Sequence, residues 1–283
     1  MNITVSANAK INLFLDITGK REDGYHNIAS VMHSLDLHDS INLSFNKSGK
    51  ITISSDNPYI PADERNIAYK SAAKFLSEIK TSQGVSIHIA KRIPIGGGLG
   101  GSSTDGAAVL SGLNYLFGHP FTEEELIRTG ASLSADIPFC IKKGAALCEG
   151  IGEIMTPLPT FSCCYAAIIN PRFSLNTKMM YERYDNEGGK SHPTPDAMIE
   201  ALKHNSVDEA AKALYNAFEL PAGAFRPAVL RFKERLLAEG AKGALMSGSG
   251  SYVYGLFDNY SYCNALCEKL SSENIYTVCA RVI

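Results

Sequence analysis

The chain has 283 residues, of which 45% are apolar, and a formal net charge of −2. This length allows a large core in one or two domains. The near-neutral charge gives no overall attraction to nucleic acid or to an anionic bilayer, which favours a small ligand over a polymer. The seven cysteines are odd in number and include no CxxC pair, so they indicate neither a disulfide framework nor a zinc site. Because no secretion signal or apolar stretch of ~18 residues is present, we expect a cytoplasmic protein.

The first part of the chain is rich in predicted strands. Alternating and β-branched runs predict strands over 11–17, 28–37, 40–45 and 50–54. Helical spacing of apolar residues then predicts a helix over 66–79, followed by a strand over 84–90. Further on, Thr122 and Glu125 have the spacing of a capping box and predict another helix start.

The second part mixes strands with helices. Strands are predicted over 145–148, 151–158, 163–169, 244–246, 252–257 and 276–283, and helices over 177–184, 196–204, 207–218, 226–239 and 260–270. Pro157 and Pro159 mark a join, at which we divide the chain into domains 1–160 and 161–283. Because neither half shows a regular strand-helix alternation, the predicted class is α+β.

Residues 94–105 form a loop with five glycines, followed by the three hydroxyl side chains of Ser102, Ser103 and Thr104. A backbone without Cβ atoms reaches positive φ easily, and its N–H groups can converge on an anion. Since a predicted helix follows, the loop opens a helix N-terminus, which is a ready phosphate site. The hydroxyls suit capping or Mg²⁺. The alternative is a turn in which glycine only lets a strand and a helix pack closely.

Two other glycine-rich phosphate sites are excluded. A Walker A loop needs a lysine at its end, and none follows Gly101. Gly96, Gly98 and Gly101 satisfy G-x-G-x-x-G, but a dinucleotide site needs a second strand ending in an acidic residue about 20 residues further on. The capping box stands in that region instead.

Outside the loop, Asp136 and Lys10 are the candidates for phosphoryl-transfer chemistry, which needs a group to orient or deprotonate the acceptor and a cation near the developing charge. Asp136 lies among small and apolar residues, where a carboxylate usually has a specific partner. Lys10 and Asn12 alternate with apolar residues and therefore share a strand face. The alternatives are a helix cap for Asp136 and a solvated strand face for Lys10 and Asn12.

Three segments of the chain resemble the superfamily of galactokinase, homoserine kinase, mevalonate kinase and phosphomevalonate kinase, the GHMP kinases. They are the first strand around Lys10, the loop of residues 94–103 and the glycine loop of residues 246–250. Residues 19–26 and 134–139 narrow the resemblance to the kinases of diphosphocytidyl methylerythritol, which use ATP in the non-mevalonate route to isoprenoid precursors. The implied fold is a two-domain α+β GHMP-kinase fold, with an N-terminal catalytic domain of ribosomal-protein-like topology and a ferredoxin-like C-terminal substrate domain.

The resemblance also implies roles for individual residues. Asp136 would accept the proton of the substrate hydroxyl, and Lys10 would lie beside that hydroxyl. Tyr25 would stack on the cytosine ring, His26 would contact its polar edge and Tyr181 would form the second wall. Asn12 and Thr177 would complete the substrate site. ATP and Mg²⁺ are the implied cofactors, and no metal ligands are assigned. On the adenosine side, ATP would contact Asn66 and Lys91. In the loop, the ATP-binding residues would be Pro94, Gly96, Gly97, Gly98, Leu99, Gly100, Gly101, Ser102, Ser103 and Thr104.

The chain departs from the family pattern at Ser102, which takes a glycine place, and at Thr104, which takes a serine place. Three alternatives remain. A kinase of homoserine or mevalonate would lack the Tyr25–His26 element, a non-catalytic sensor would have lost Asp136 or Lys10, and an RNA-binding module would need a basic face. The expected partner is the small-molecule substrate, with no nucleic acid and no membrane, and the expected state is a monomer or a weak homodimer.

Overall fold

The computed structural model describes residues 1–187 and 192–283. In this part the chain forms two compact units, each assembled from separate segments. Unit 1 consists of Met1–Ala9, Leu37–Ile93 and Gly100–Lys143, and unit 2 consists of Lys10–Asp36, Pro94–Leu99 and Gly144–Ile283. The long strands β1 (Asn2–Lys20) and β2 (His26–Asn46) contribute residues to both units. No helix within residues 1–187 and 192–283 has the length and apolar character needed to cross a membrane.

Unit 1 packs four helices against strands. Strand β4 (Gly84–Ala90) pairs antiparallel with the end of β2 and parallel with β3 (Ile51–Ser55). Its alternate residues Val85, Ile87 and Ile89 are buried, as period-2 spacing requires. The core of this unit lies between these strands and the helices. The helices are α1 (Ile67–Glu78), α2 (Gly101–Leu116), α3 (Glu123–Ala131) and α4 (Ile137–Lys142).

Unit 2 contains a four-stranded antiparallel sheet in the order β11-β7-β10-β9, covered by helices. The beginning of β2 pairs with β5, and β5 pairs with β6. The strands are β5 (Ala145–Gly150), β6 (Ile154–Leu158), β7 (Tyr165–Ile169), β8 (Tyr215–Asn216), β9 (Gly243–Met246), β10 (Val253–Phe257) and β11 (Thr277–Arg281). The helices are α5 (Thr177–Glu187), α6 (Asp196–Lys203), α7 (Val207–Ala213), α8 (Arg226–Ala238) and α9 (Tyr260–Ser272), with a 3₁₀ segment at Ala217–Phe225.

The mixture of helix and sheet confirms the α+β class, and Thr122 and Glu125 form the predicted capping box of α3. Two element predictions are wrong. The strands predicted over 28–37 and 40–45 are one strand, β2, because Asp39 can stay buried inside it by accepting hydrogen bonds from the backbone N–H groups of Arg92 and Ile93.

The helix predicted over 207–218 ends at Ala213. The next residues form β8, in which Tyr215 and Asn216 pair parallel with Phe14 and Leu15 of β1. The side-chain amide of Asn216 also donates to the carbonyls of Met246 and Gly248. Long-range pairing therefore overrides the local helical spacing. The strand predicted over 163–169 begins later than expected, at Tyr165.

Candidate active site

Lys10 and Asn12 lie together on β1, as their spacing predicts. The Lys10 ammonium group donates to Asn12 Oδ1 at 2.8 Å, and Asn12 Nδ2 donates to Ser30 Oγ at 2.8 Å. Lys10 is only 4% exposed and Asn12 only 1% exposed. The alternative of a solvated strand face is therefore wrong. These hydrogen bonds hold a cation at a defined position on a rigid strand.

The first half of the glycine loop, in unit 2, packs against the second glycine loop of the chain. Ser247 Oγ donates to the Gly98 carbonyl at 3.0 Å, and the Tyr252 hydroxyl donates to the Ile95 carbonyl at 2.9 Å. A Cβ atom at Gly98 would lie 2.0 Å from the Ser247 carbonyl oxygen, and one at Gly97 would lie 1.8 Å from the Tyr252 ring. Close packing therefore requires glycine at these two positions, although the partners are the second loop at Gly98 and Tyr252, just after that loop, at Gly97, and not a helix.

The loop also lies directly on the strand that carries Lys10. The backbone N–H of Lys10 donates to the Leu99 carbonyl at 3.0 Å. Gly96 has a φ of +75, and a Cβ atom built at this position would lie 3.6 Å from Ser174 Cβ, which is an ordinary contact distance. Glycine is therefore needed at this position for its left-handed backbone conformation and not for close packing. Unit 2 therefore brings together part of the first strand, the start of the first glycine loop and the second glycine loop.

The second half of the loop, in unit 1, opens helix α2 as predicted. Gly100 is the N-cap at φ 73, and no side chain caps the helix. Ser102 is exposed, whereas the other two hydroxyls are used inside unit 1. Ser103 Oγ lies 3.0 Å from Ser134 Oγ, and Thr104 Oγ1 donates to the Asn8 carbonyl at 2.7 Å. Ser102 is thus the hydroxyl best placed for a ligand at this helix N-terminus.

Asp136 lies at the N-cap position of α4, two residues after Ser134. Its side chain makes no capping hydrogen bond, so the alternative of a simple helix cap is wrong. Pro138 in the first turn starts the helix instead. The hydroxyl pair of Ser103 and Ser134 holds the segment before Asp136 beside the first turn of α2.

Lys91 lies at the centre of a buried ionic cluster that the sequence did not reveal. Its ammonium group donates to Asp39 Oδ2 at 2.6 Å and to Asp105 Oδ2 at 2.8 Å. Burial disfavours the charge on Lys91, but the two carboxylates outweigh burial and raise its pKa. Burial raises the pKa of Asp105 to about 8, with repulsion from Asp39 adding to it and the attraction of Lys91 opposing it. Asp105 Oδ1 is buried without a hydrogen-bond partner among the described residues.

Asn66, the other residue predicted on the adenosine side, caps helix α1. Its side-chain oxygen accepts from the Ala68 N–H, and its side-chain nitrogen donates to the Pro61 carbonyl. The side-chain atoms of Asn66 and the Lys91 ammonium group therefore make hydrogen bonds within unit 1.

The predicted substrate residues of unit 2 fall into two groups. The His26 and Tyr181 rings stack with centroids 4.7 Å apart and planes at 16°. His26 Nε2 lies 2.7 Å from Asp185 Oδ1, and Asp185 is a residue that the sequence analysis missed. The predicted helix ended at residue 184, one residue short of Asp185, whereas α5 continues to Glu187 and places Asp185 four residues after Tyr181. Separately, Thr177 Oγ1 lies 2.8 Å from Ser249 Oγ of the second glycine loop.

Tyr25 is 62% exposed, whereas Tyr181 is partly covered. One face of Tyr181 stacks on His26, and Phe218 packs edge-on against Tyr181 with centroids 4.9 Å apart. A sandwich of Tyr25 and Tyr181 around a base would need an open face on Tyr181. The sandwich stays a prediction.

Comparisons with known proteins define the class. Residues 66–144 match the family described as GHMP kinases N terminal domain, and residues 198–275 match GHMP kinases C terminal. A solved structure of 4-(cytidine 5'-diphospho)-2C-methyl-D-erythritol kinase superposes with a TM-score of 0.82 and 29% identity, covering 98% of both chains. The homoserine kinase from Cytophaga hutchinsonii shares the fold, with a TM-score of 0.74 and 21% identity, covering 99% of this chain and 95% of that one. The fold and the two family matches are those of a small-molecule kinase of the GHMP type, a family that uses ATP.

Two curated relatives narrow the class. The 4-diphosphocytidyl-2-C-methyl-D-erythritol kinase of Lachnoclostridium phytofermentans is 40% identical over 91% of this chain and 88% of its own length. The protein of the same name from Caldicellulosiruptor saccharolyticus is 42% identical over 90% of this chain and 88% of its own length. The chain belongs to the family of 4-diphosphocytidyl-2-C-methyl-D-erythritol kinases.

Proposed function

We propose that this chain transfers the γ-phosphoryl group of ATP to the 2-hydroxyl of 4-diphosphocytidyl-2-C-methyl-D-erythritol, a step toward isoprenoid precursors. The observation that carries this proposal is the contact between the Lys10 N–H and the Leu99 carbonyl, which places the glycine loop directly on the strand of a buried lysine. Phosphoryl transfer needs this combination of a phosphate-binding backbone and a nearby fixed cation. The family relationship supports the choice of substrate.

In this proposal, Asp136 accepts the proton of the 2-hydroxyl as its oxygen forms a bond to the γ-phosphorus atom. The bond between that phosphorus and the β–γ bridging oxygen breaks, and ADP leaves. Lys10 stabilises the negative charge that develops on the acceptor oxygen and the phosphoryl group. The hydrogen bond from Lys10 to Asn12 orients the ammonium group for this role.

We assign the phosphate loop to residues 94–104, with the backbone N–H groups at the start of α2 facing the phosphates. Mg²⁺ prefers a few carboxylate or hydroxyl oxygens together with substrate phosphates, and the exposed Ser102 and the Asp136 carboxylate are suitable donors. The residues present therefore fit a magnesium ion, which when bound neutralises phosphate charge. The proposed cytidine and sugar-alcohol site consists of Asn12, Tyr25, His26, Thr177 and Tyr181.

Four further assignments belong to this proposal. Residues 1–160 would form the ATP-binding catalytic domain, and residues 161–283 the substrate domain. The protein would act in the cytoplasm, as a monomer or weak homodimer, on a small molecule and without nucleic acid or membrane. The formal net charge of −2 supports the choice of a small ligand.

The test is ATP-dependent phosphorylation by the purified chain, with diphosphocytidyl methylerythritol, homoserine, mevalonate and galactose as acceptors. We expect turnover of the first acceptor to exceed that of the others by several orders of magnitude. Preferred turnover of another acceptor would favour a different GHMP kinase. Nucleotide binding without phosphorylation of any acceptor would favour a non-catalytic sensor.

A further inference from the structure

His26 is held in unit 2 by two residues of one helix. Tyr181 and Asp185 are four positions apart on α5 and therefore lie on the same helix face. Tyr181 stacks on the imidazole ring, and Asp185 Oδ1 lies 2.7 Å from its Nε2. His26 is 8% exposed, so its ring has little freedom to turn. The ring plane and the role of one ring nitrogen are thus both fixed.

The carboxylate of Asp185 determines which nitrogen carries a proton. A hydrogen bond from the Lys20 ammonium group, followed by the hydrogen bond to His26, lowers the pKa of Asp185. An ionised carboxylate can only accept, so Nε2 of His26 must carry the hydrogen atom. In the neutral imidazole, Nδ1 is then a hydrogen-bond acceptor.

We propose that Asp185 is a positioning residue, which fixes His26 as the Nε2–H tautomer so that Nδ1 accepts a hydrogen bond from the exocyclic amino group of the base. This inference rests on the proposed function, in which His26 contacts the polar edge of cytosine. The 4-amino group of cytosine donates a hydrogen bond, whereas the 4-oxo group of uracil presents an acceptor. A fixed acceptor at Nδ1 attracts the 4-amino group of cytosine and repels the 4-oxo group of uracil. The site therefore selects 4-aminopyrimidines.

The kinetic test compares the diphosphocytidyl substrate with its diphosphouridyl counterpart in the wild type and in Asp185→Asn. An asparagine amide can turn to present either its oxygen or its nitrogen to His26 and no longer dictates the tautomer. We expect the preference for cytosine in kcat/KM to fall about tenfold, mainly through KM, with kcat and the KM for ATP nearly unchanged. Asp185→Glu keeps the carboxylate and should restore part of the preference.

Glu182→Gln is the matched control, because it removes an exposed carboxylate from the same helix. It should leave the preference between bases unchanged. Equal preferences in wild type and Asp185→Asn would overturn the inference. So would a parallel rise in the KM values for ATP and substrate, since that pattern indicates a general structural role.

A second measurement separates this inference from the choice of substrate. Nitrogen-15 NMR of the imidazole groups reports which ring nitrogen of His26 carries the proton, with His26→Gln used to assign the signal. We expect the Nε2–H form in the wild type and its loss in Asp185→Asn. A wild-type ring protonated at Nδ1 alone overturns the inference even if the kinase activity is present. The protein could also show the Nε2–H form of His26 and yet fail to phosphorylate the diphosphocytidyl substrate. That result would refute the proposed substrate, but Asp185 would still be the residue that fixes the tautomer.

Discussion

The carboxylate of Asp136 carries the proposed proton transfer, and Asp136→Asn removes the charge while keeping the shape of the side chain. We expect kcat to fall by about 10²–10⁴-fold, with little change in ATP affinity, because general-base catalysis acts on the transition state. Steady-state kinetics and calorimetric titration of ATP measure the two effects. Near-native turnover would remove Asp136 from the catalytic role.

Tyr25 is the exposed aromatic residue of the proposed base site. Tyr25→Ala should cost ~1–3 kcal/mol in kcat/KM for the diphosphocytidyl substrate, because it removes one stacking face. Tyr25→Phe should keep most of the activity, since stacking uses the ring and not the hydroxyl. Tyr59→Ala is the control, as Tyr59 is another exposed tyrosine. Full activity of Tyr25→Ala would show that the ring does not stack on the base.

Gly98 tests whether the shape of the loop controls ATP binding. Gly98 (φ +83) and Gly118 (φ +77) have similar left-handed conformations, but only Gly98 has the Ser247 carbonyl where a Cβ atom would lie. Both alanine variants should carry a strain of about 1–2 kcal/mol. Only Gly98→Ala should also displace the loop and weaken ATP binding, by at least about tenfold in calorimetry. Equal ATP affinity in the two variants would mean that the loop shape tolerates the displacement.

At the scale of elements, the ionic cluster of Lys91, Asp39 and Asp105 joins the residue after β4 to β2 and to the second turn of α2. The folded pKa of Asp105, about 8, is above its unfolded value near 4. The folded state therefore holds a proton that the unfolded state releases first. The stability from this residue is complete below pH 4 and is lost as the pH rises toward 8.

Asp105→Asn should abolish this dependence, because a neutral amide mimics the protonated acid. We expect the free energy of unfolding of the wild type to fall between pH 4 and pH 8 relative to the variant. Urea denaturation at several pH values measures the difference. Asp56→Asn is the control, since Asp56 is an exposed carboxylate whose pKa is lowered by the Lys91 backbone N–H. A constant difference between Asp105→Asn and the wild type across this range would contradict the raised pKa.

Local spacing predicted some of these features and could not predict others. The pairing of Lys10 with Asn12 follows from period 2 along a single strand, and the start of α2 follows from the glycine loop. The cluster of Asp39, Lys91 and Asp105 depends on contacts between residues 14 and 52 positions apart in the sequence. The stack of His26 on Tyr181 spans 155 positions and depends on tertiary packing. Elements and local faces were therefore predictable, whereas the partners of buried charges were not.

At the scale of the whole molecule, the response of stability to acid depends on a histidine outside the proposed site. His33 on β2 is fully buried and stacks on Phe161, with centroids 5.8 Å apart. Its Nε2 accepts from the Phe161 N–H at 3.4 Å, and its Nδ1 lies 3.3 Å from the Ser34 carbonyl. A neutral ring satisfies both contacts, with the hydrogen atom on Nδ1. Burial lowers the pKa of His33 to about 4, from an ordinary value of 6.5.

Because the folded pKa is lower than the unfolded one, acid protonates the unfolded chain first. The stability associated with neutral His33 is complete above pH 6.5 and is lost as the pH falls toward 4, up to about 3 kcal/mol. His33→Gln should be less stable than the wild type at pH 7.5 because the stacked ring is lost, but the difference should shrink as the pH falls. Urea denaturation at pH 7.5, 6, 5 and 4 measures this convergence. The exposed His38 supplies the control His38→Gln. The free energies of unfolding of His33→Gln and the wild type could instead differ by the same amount from pH 7.5 to 4. That result would show that His33 takes up a proton as easily in the folded protein as in the unfolded chain.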